Sequence, residues 1–171
     1  MKRKSFTFVL AMVMVLTLLS TSALATDVVG GVPNPMREAT QQEILETVGA
    51  DMREPDGSEL LGSFIIESED TAPMGEIRFL LDGIEYTYRI RGAEAATDIS
   101  GLYYEFTQEQ PVEIGINAGT ARIAGDEVGV IEWYEVAAGI AYSLSMASEP
   151  SIDTLVRVAQ DVYIQTQGDV G

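Results

Sequence analysis

Carboxylates are the main reactive groups that this chain offers in any number. Asp and Glu number 27, His and Cys are absent, and the only Lys residues are Lys2 and Lys4. Without His or Cys there is no Ser-His-Asp or Cys-His arrangement, and zinc and copper lose their usual ligands. Schiff-base chemistry and Ser-Lys pairs go with the missing Lys. No Gly-rich phosphate loop of the Walker or dinucleotide type occurs, and no cofactor is expected. What survives is paired-carboxylate chemistry. Glu132 and Glu135 flank Trp133 and Tyr134, and a glycosidase needs two carboxyls at a set separation beside an aromatic platform. Opposite parity on a regular strand sends Glu132 and Glu135 to opposite faces, so the plainer reading is two solvated residues around core aromatics.

Two further clusters carry an ordinary reading beside a functional one. Glu67, Glu69 and Asp70 are an acidic patch at a strand end, but the Asp-rich, Gly-containing loop that encloses calcium is missing. A solvated charge cluster is the default. Asp98-Ile99-Ser100-Gly101 could serve as a functional loop, but the favoured reading is a turn in which Asp and Ser bond the local backbone and Gly supplies an unusual dihedral. Tyr103, Tyr104, Trp133 and Tyr134 are core aromatics or a ligand-facing strip. Neighbours in each pair face opposite ways on a strand, so about half should be exposed.

The elements that would position these groups are legible in the pattern. Thr40-Gln41-Gln42-Glu43 fits a capping box, Ile44, Leu45 and Val48 share a helical face, and Gly49 closes the helix, predicting a helix over 41–48. Residues 51–62 read as a loop around Pro55-Asp56-Gly57. From Ser63 the period becomes two. Asp82-Gly83 is a hairpin signal, after which Ile84, Tyr86, Tyr88 and Ile90 oppose Glu85, Thr87, Arg89 and Arg91, as in an antiparallel sheet with one wet face. Further strands are predicted over 101–108, 112–116, 120–124, 128–136 and 140–147, with turns at 117–119, 125–126 and 137–139. Ser148 is placed to cap a second helix, whose stripe is Ile152, Leu155, Val156, Ala159, Val162 and Tyr163. The fold class expected is α+β: a curved antiparallel sheet of about six or seven strands, with a short N-terminal helix and a C-terminal helix packed on one face.

The first 25 residues read as a secretory signal peptide. Lys2, Arg3 and Lys4 precede an apolar run over 6–19, and Ala23-Leu24-Ala25 is a small-x-small site, placing cleavage between Ala25 and Thr26. The run is short for a bilayer span, and no Cys follows it to carry a lipid. The domain plan is therefore a leader at 1–25, a flexible segment at 26–33, one α+β domain at 34–165 and a frayed end at 166–171. Beyond the leader seven Arg stand against 27 Asp and Glu, a net charge of −20. Such a surface repels nucleic acid. It keeps an exported protein soluble, and it would also attract cations or basic partners.

Several phrases carry a likeness. Asn34-Pro35 and the short helix after it, Tyr88-Arg89, Asp98 to Gly101, Trp133, Tyr142-Ser143 and the closing helix together resemble the family called domain of unknown function 4367. The likeness spans roughly residues 34–164. It implies an exported or membrane-tethered bacterial module and carries no catalytic residues across. This chain departs from it in being very acidic, in lacking Lys beyond the leader, and in a shortened region between Pro55 and Phe64.

The expectation that follows is a secreted or extracytoplasmic, monomeric, non-catalytic binding module. It would have no nucleic-acid partner and no membrane span after signal removal. Its contact surface is placed on the wet sheet face at Arg89, Arg91, Tyr104 and Trp133. The partner would be a protein or an envelope ligand. A carboxylate-based hydrolase acting on wall glycans and a calcium-stabilised envelope protein are the alternatives.

Overall fold

The computed structural model describes residues 28–29, 32–33 and 35–167. The expected signal peptide and its expected Ala25/Thr26 cleavage site, Asn34 and residues 168–171 lie outside the described residues. The chain divides into two units, 1–34 and 35–171. In the first, β1 (Val28–Val29) pairs antiparallel with β2 (Val32–Pro33), where the sequence predicts a segment without regular structure.

The second unit is α+β. Its strands are β3 (Met36–Glu38), β4 (Glu59–Ile66), β5 (Met74–Leu81), β6 (Ile84–Gly92), β7 (Gln108–Ile114), β8 (Asn117–Ala124), β9 (Val128–Glu135) and β10 (Ile140–Ala147). The helices are α1 (Gln41–Val48) and α2 (Ile152–Gln167). All eight strands form one open antiparallel sheet in the order β3-β4-β5-β6-β10-β9-β8-β7. The count exceeds the expected six or seven because β3 adds an edge strand; β4 is also longer than expected, beginning four residues before Ser63. Two four-stranded meanders thus lie side by side, joined where β6 pairs with β10. Among the described residues no helix is long and apolar enough to cross a membrane.

Both helices cover the same face. Ile44 of α1 lies over Gly75, whose register partner is Ile90, and Thr166 of α2 meets the Tyr88 hydroxyl at 3.0 Å; Tyr88 and Ile90 share one side of β6. Two glycines let the helices come close. A Cβ on Gly75 would lie 2.7 Å from the Ile44 and Met52 side chains, and one on Gly129 would lie 2.7 Å from Pro150 and 2.8 Å from Leu155. Between helices and sheet, Tyr88, Trp133 and Tyr142 stack nearly parallel, with Trp133 and Tyr142 centroids 4.9 Å apart. Tyr163 of α2 meets the last two edge-on.

α1 forms over the predicted residues, with the capping box in place and Gly49 at φ 84°; Ile44 is buried while Leu45 is exposed. The Asp82-Gly83 turn also forms, both residues having positive φ. Elsewhere the local signals mislead. The turn before β8 falls at Gly115-Ile116, and Asn117 opens the strand, its amide donating to the Ile114 carbonyl at 3.3 Å. Ser151, not Ser148, caps α2, its Oγ accepting from the Thr154 N–H at 3.1 Å. Thr166, expected in a frayed tail, is buried at the Tyr88 hydroxyl. The largest departure is at 101–108, where a strand is predicted and only Gln108 joins one. β6 is central and β7 is the far edge, so the connection over 93–107 must cross three strands. Its extended residues make a strap over the second face of the sheet rather than a ladder.

Candidate contact site under and along the strap

The second face of the sheet is polar by sequence and largely covered by the strap. One cross-strand row runs Glu76–Arg89–Ser143–Glu132–Thr120 over β5, β6, β10, β9 and β8. Glu76 is fully buried, and the Nε–H groups of Arg78 and Arg89 each donate to it at 2.7 Å. A carboxylate removed from water in this way requires both partners. Arg78 also lies over the Phe64 ring, 5.1 Å from its centroid.

Each residue of Asp98-Ile99-Ser100-Gly101 has a task in clamping the strap. Asp98 Oδ1 accepts from the Ser100 N–H at 2.9 Å and from its hydroxyl at 2.7 Å, closing a local turn. Ile99 and Ser100 are buried. Their carbonyls accept from the Arg89 guanidinium, which is 3.3 Å from Ile99 O and in close contact with Ser100 O. Gly101 has φ 65°, and a Cβ there would lie 2.6 Å from Arg89 Nη1. Of the two readings open for this motif, the turn is the one that forms. Farther along, Arg122 on β8 donates to Asp98 at 3.0 Å and to Glu132, with the Phe106 ring 4.6 Å from its guanidinium.

Asp98 and Glu132 therefore meet on Arg122, and their environments push them apart. Burial first, then the neighbouring Asp98 carboxyl, push Glu132 up to about 7 against the pull of Arg122. Burial acts in the same sense on Asp98, but hydrogen bonding with Ser100, Glu132 and Arg122 outweighs it and holds Asp98 well below the usual carboxylate range. This pair is invisible to local pattern, since its members are 34 positions apart and only the strap brings them together. Glu132 and Glu135 do point to opposite faces, with Glu135 accepting from the Tyr142 hydroxyl at 2.9 Å. Asp98 and Glu132 share one guanidinium and stand in contact, whereas glycoside hydrolysis needs carboxyls at least about 5 Å apart. The arrangement is built to fasten two chain segments. Among the described residues no three Asp or Glu side chains converge on a common point, and Glu67 of the acidic patch pairs with Arg37 at 3.4 Å.

Two cavities flank the clamp. One, of about 310 Å³, opens beside Thr97, Asp98, Thr120, Glu132 and Tyr134. The other, of about 350 Å³, is lined by Met74, Arg89, Arg91, Leu102 and Tyr103, with the edge of Asp98. The residues expected to form a contact surface divide sharply between them and the core. Trp133 is only 3% exposed and stacked under the helices, so it is no contact residue; its parity matches Ile131, not Glu132. Arg89 is spent on Glu76 and the strap carbonyls, so it is a fastener. Arg91 lines the second cavity, half-buried. Tyr104 is exposed, and Tyr103 beside it is 98% exposed. Tyr134 is turned inward, its hydroxyl donating to the Ala93 carbonyl at 3.1 Å.

No known family, no curated protein and no solved structure matches this chain.

Proposed function

We propose that this protein is an exported, non-catalytic binding module that works in the cell envelope or outside it, with the strap as its contact element. The observation that carries this is the pair Tyr103 and Tyr104, exposed on a segment that is itself pinned to the sheet through Arg89 and Arg122. Aromatic rings in water are costly to maintain unless something covers them. Rings held on a fastened backbone lose little entropy when it does. The leader-like first 25 residues and the resemblance to domain of unknown function 4367 support the compartment. The absence of His and Cys supports the lack of catalysis. The purified domain should sediment with isolated envelope material, and a Tyr103→Ser/Tyr104→Ser variant of unchanged melting temperature should not. Equal sedimentation of the two proteins, or none by the wild type, refutes the reading.

A hydrolase remains the second reading because Glu132, held near 7, has the protonation range of a general acid. It requires turnover of a glycan that disappears in Glu132→Gln. The commitment of both carboxyls to one Arg122 nitrogen favours the binding reading.

A further inference from the structure

We infer that the cavity of about 350 Å³ between the strap and β5–β6 binds a small ligand carrying a single carboxylate on a sugar-sized ring, with Arg91 receiving the carboxylate and Tyr103 the ring. This rests on the reading of the strap as a contact element and gives that element its ligand class.

Arg91 is the odd cation of this face. Arg78 and Arg89 are both committed to Glu76, and Arg122 to Asp98 and Glu132. Arg91 makes no side-chain hydrogen bond, ion pair or ring contact among the described residues. Its register partners are Met74 and Ala141, neither of which can take its charge. In a sequence of net charge −17, a half-buried guanidinium with no carboxylate of its own is a place kept for one from outside. Asp98, the acid on the cavity edge, already accepts from Ser100 and Arg122. The planar fork of one Arg matches a carboxylate, two parallel hydrogen bonds to two oxygens.

The remaining walls specify the rest of the ligand. Met74 and Leu102 are apolar, and Tyr103, exposed to solvent, lines the same cavity as Arg91 with its ring uncovered. An aromatic face next to an apolar floor suits the C–H face of a sugar ring. The volume is at the small end for ligand sites. The strongly negative body disfavours a polyanion, whose further charges would be repelled without a cation to meet them. An acidic monosaccharide, or the acidic end of a short glycan, satisfies all four constraints.

Sodium glucuronate is the direct probe, with glucose as the uncharged ring and acetate as the carboxylate without a ring. In a ¹H–¹⁵N titration of the full domain, glucuronate should shift the amides of Met74, Arg91, Leu102 and Tyr103. Glucose and acetate should each bind at least about 10-fold more weakly. Arg91→Gln should weaken glucuronate at least about 10-fold, the scale of a charge-assisted bidentate contact, and Tyr103→Ser several-fold. Glucuronate shifts away from this cavity, or undiminished binding to Arg91→Gln, overturn the inference. The two readings fail separately. Envelope binding that survives Arg91→Gln but not the double tyrosine change, with no glucuronate binding, removes the ligand class and leaves the contact element. Glucuronate binding through Arg91 without any envelope binding removes the contact reading instead.

Discussion

Replacing Glu132 by Gln should reshape the pH dependence of stability, because this is the carboxyl whose proton the fold holds most firmly. Its folded value of about 7 stands against an ordinary 4.5. That difference corresponds to about 3 kcal/mol. Between pH 4.5 and 7 the native protein keeps a proton that the unfolded chain has released. Stability therefore falls as pH rises through that window and levels above it. Asp98 acts in the opposite sense and lower down: its contribution is present above about 4 and is lost as pH falls below that. An amide at position 132 cannot titrate. Measured against wild type, Glu132→Gln should gain up to about 3 kcal/mol between pH 4.5 and 7.5, or about 10 °C in melting temperature for a domain of this size. Urea unfolding at four pH values across the window is the assay. Trp133, the single tryptophan, reports from inside the aromatic stack. Parallel wild-type and variant curves from pH 4.5 to 7.5 would refute the account of how Glu132, Asp98 and Arg122 share charge.

Three further outcomes follow from the same structure. Gly101→Ala places a Cβ against Arg89 at a positive φ and should cost about 1–3 kcal/mol, with amide exchange accelerating first over residues 98–102 while the β5–β6 ladder stays protected. Gly129→Ala pushes a methyl into Pro150 and Leu155 and should lower stability by about 1–3 kcal/mol, read as a drop in urea midpoint at constant slope. Asp98→Asn weakens the half-exposed bond to Arg122 and should cost about 1 kcal/mol at pH 7, a loss that shrinks below about pH 4, where Asp98 of the unfolded wild-type chain takes up a proton that the folded protein still refuses.

Alternation made the sheet legible wherever its second face carries polar or small residues opposite large apolar ones. β6 and β10 have the predicted bounds or nearly so, because Tyr86, Tyr88 and Ile90, or Tyr142, Leu144 and Met146, contrast with polar neighbours. α1 was legible from its end signals, Thr40, Glu43 and Gly49. The period fades where the strap covers the second face. Val128 to Ile131 are all buried, so the pattern on β9 no longer says on which side Trp133 lies. Glu76 is hidden for the same reason: it alternates like a solvent-facing residue and is buried with two Arg partners. The strap residues Tyr103 and Tyr104 have strand-like composition, and only the separation of β6 from β7 in the sheet order makes them a crossover. The Asp98–Glu132 contact depends on that crossover and has no local signature at all.

The junction of β6 with β10 has a bearing on how the chain assembles. Every other ladder in the large sheet links strands that follow one another in the chain, while this one brings Tyr86 to Met146 and Gly92 to Ile140. Each ribbon of four strands can zip from its own turns, but the seam must close a long loop before it gains anything. Substitutions along the seam should thus slow folding more than equal losses inside either ribbon. A molecule caught with the seam open would bare two long unpaired edges, each able to capture the matching edge of a second copy.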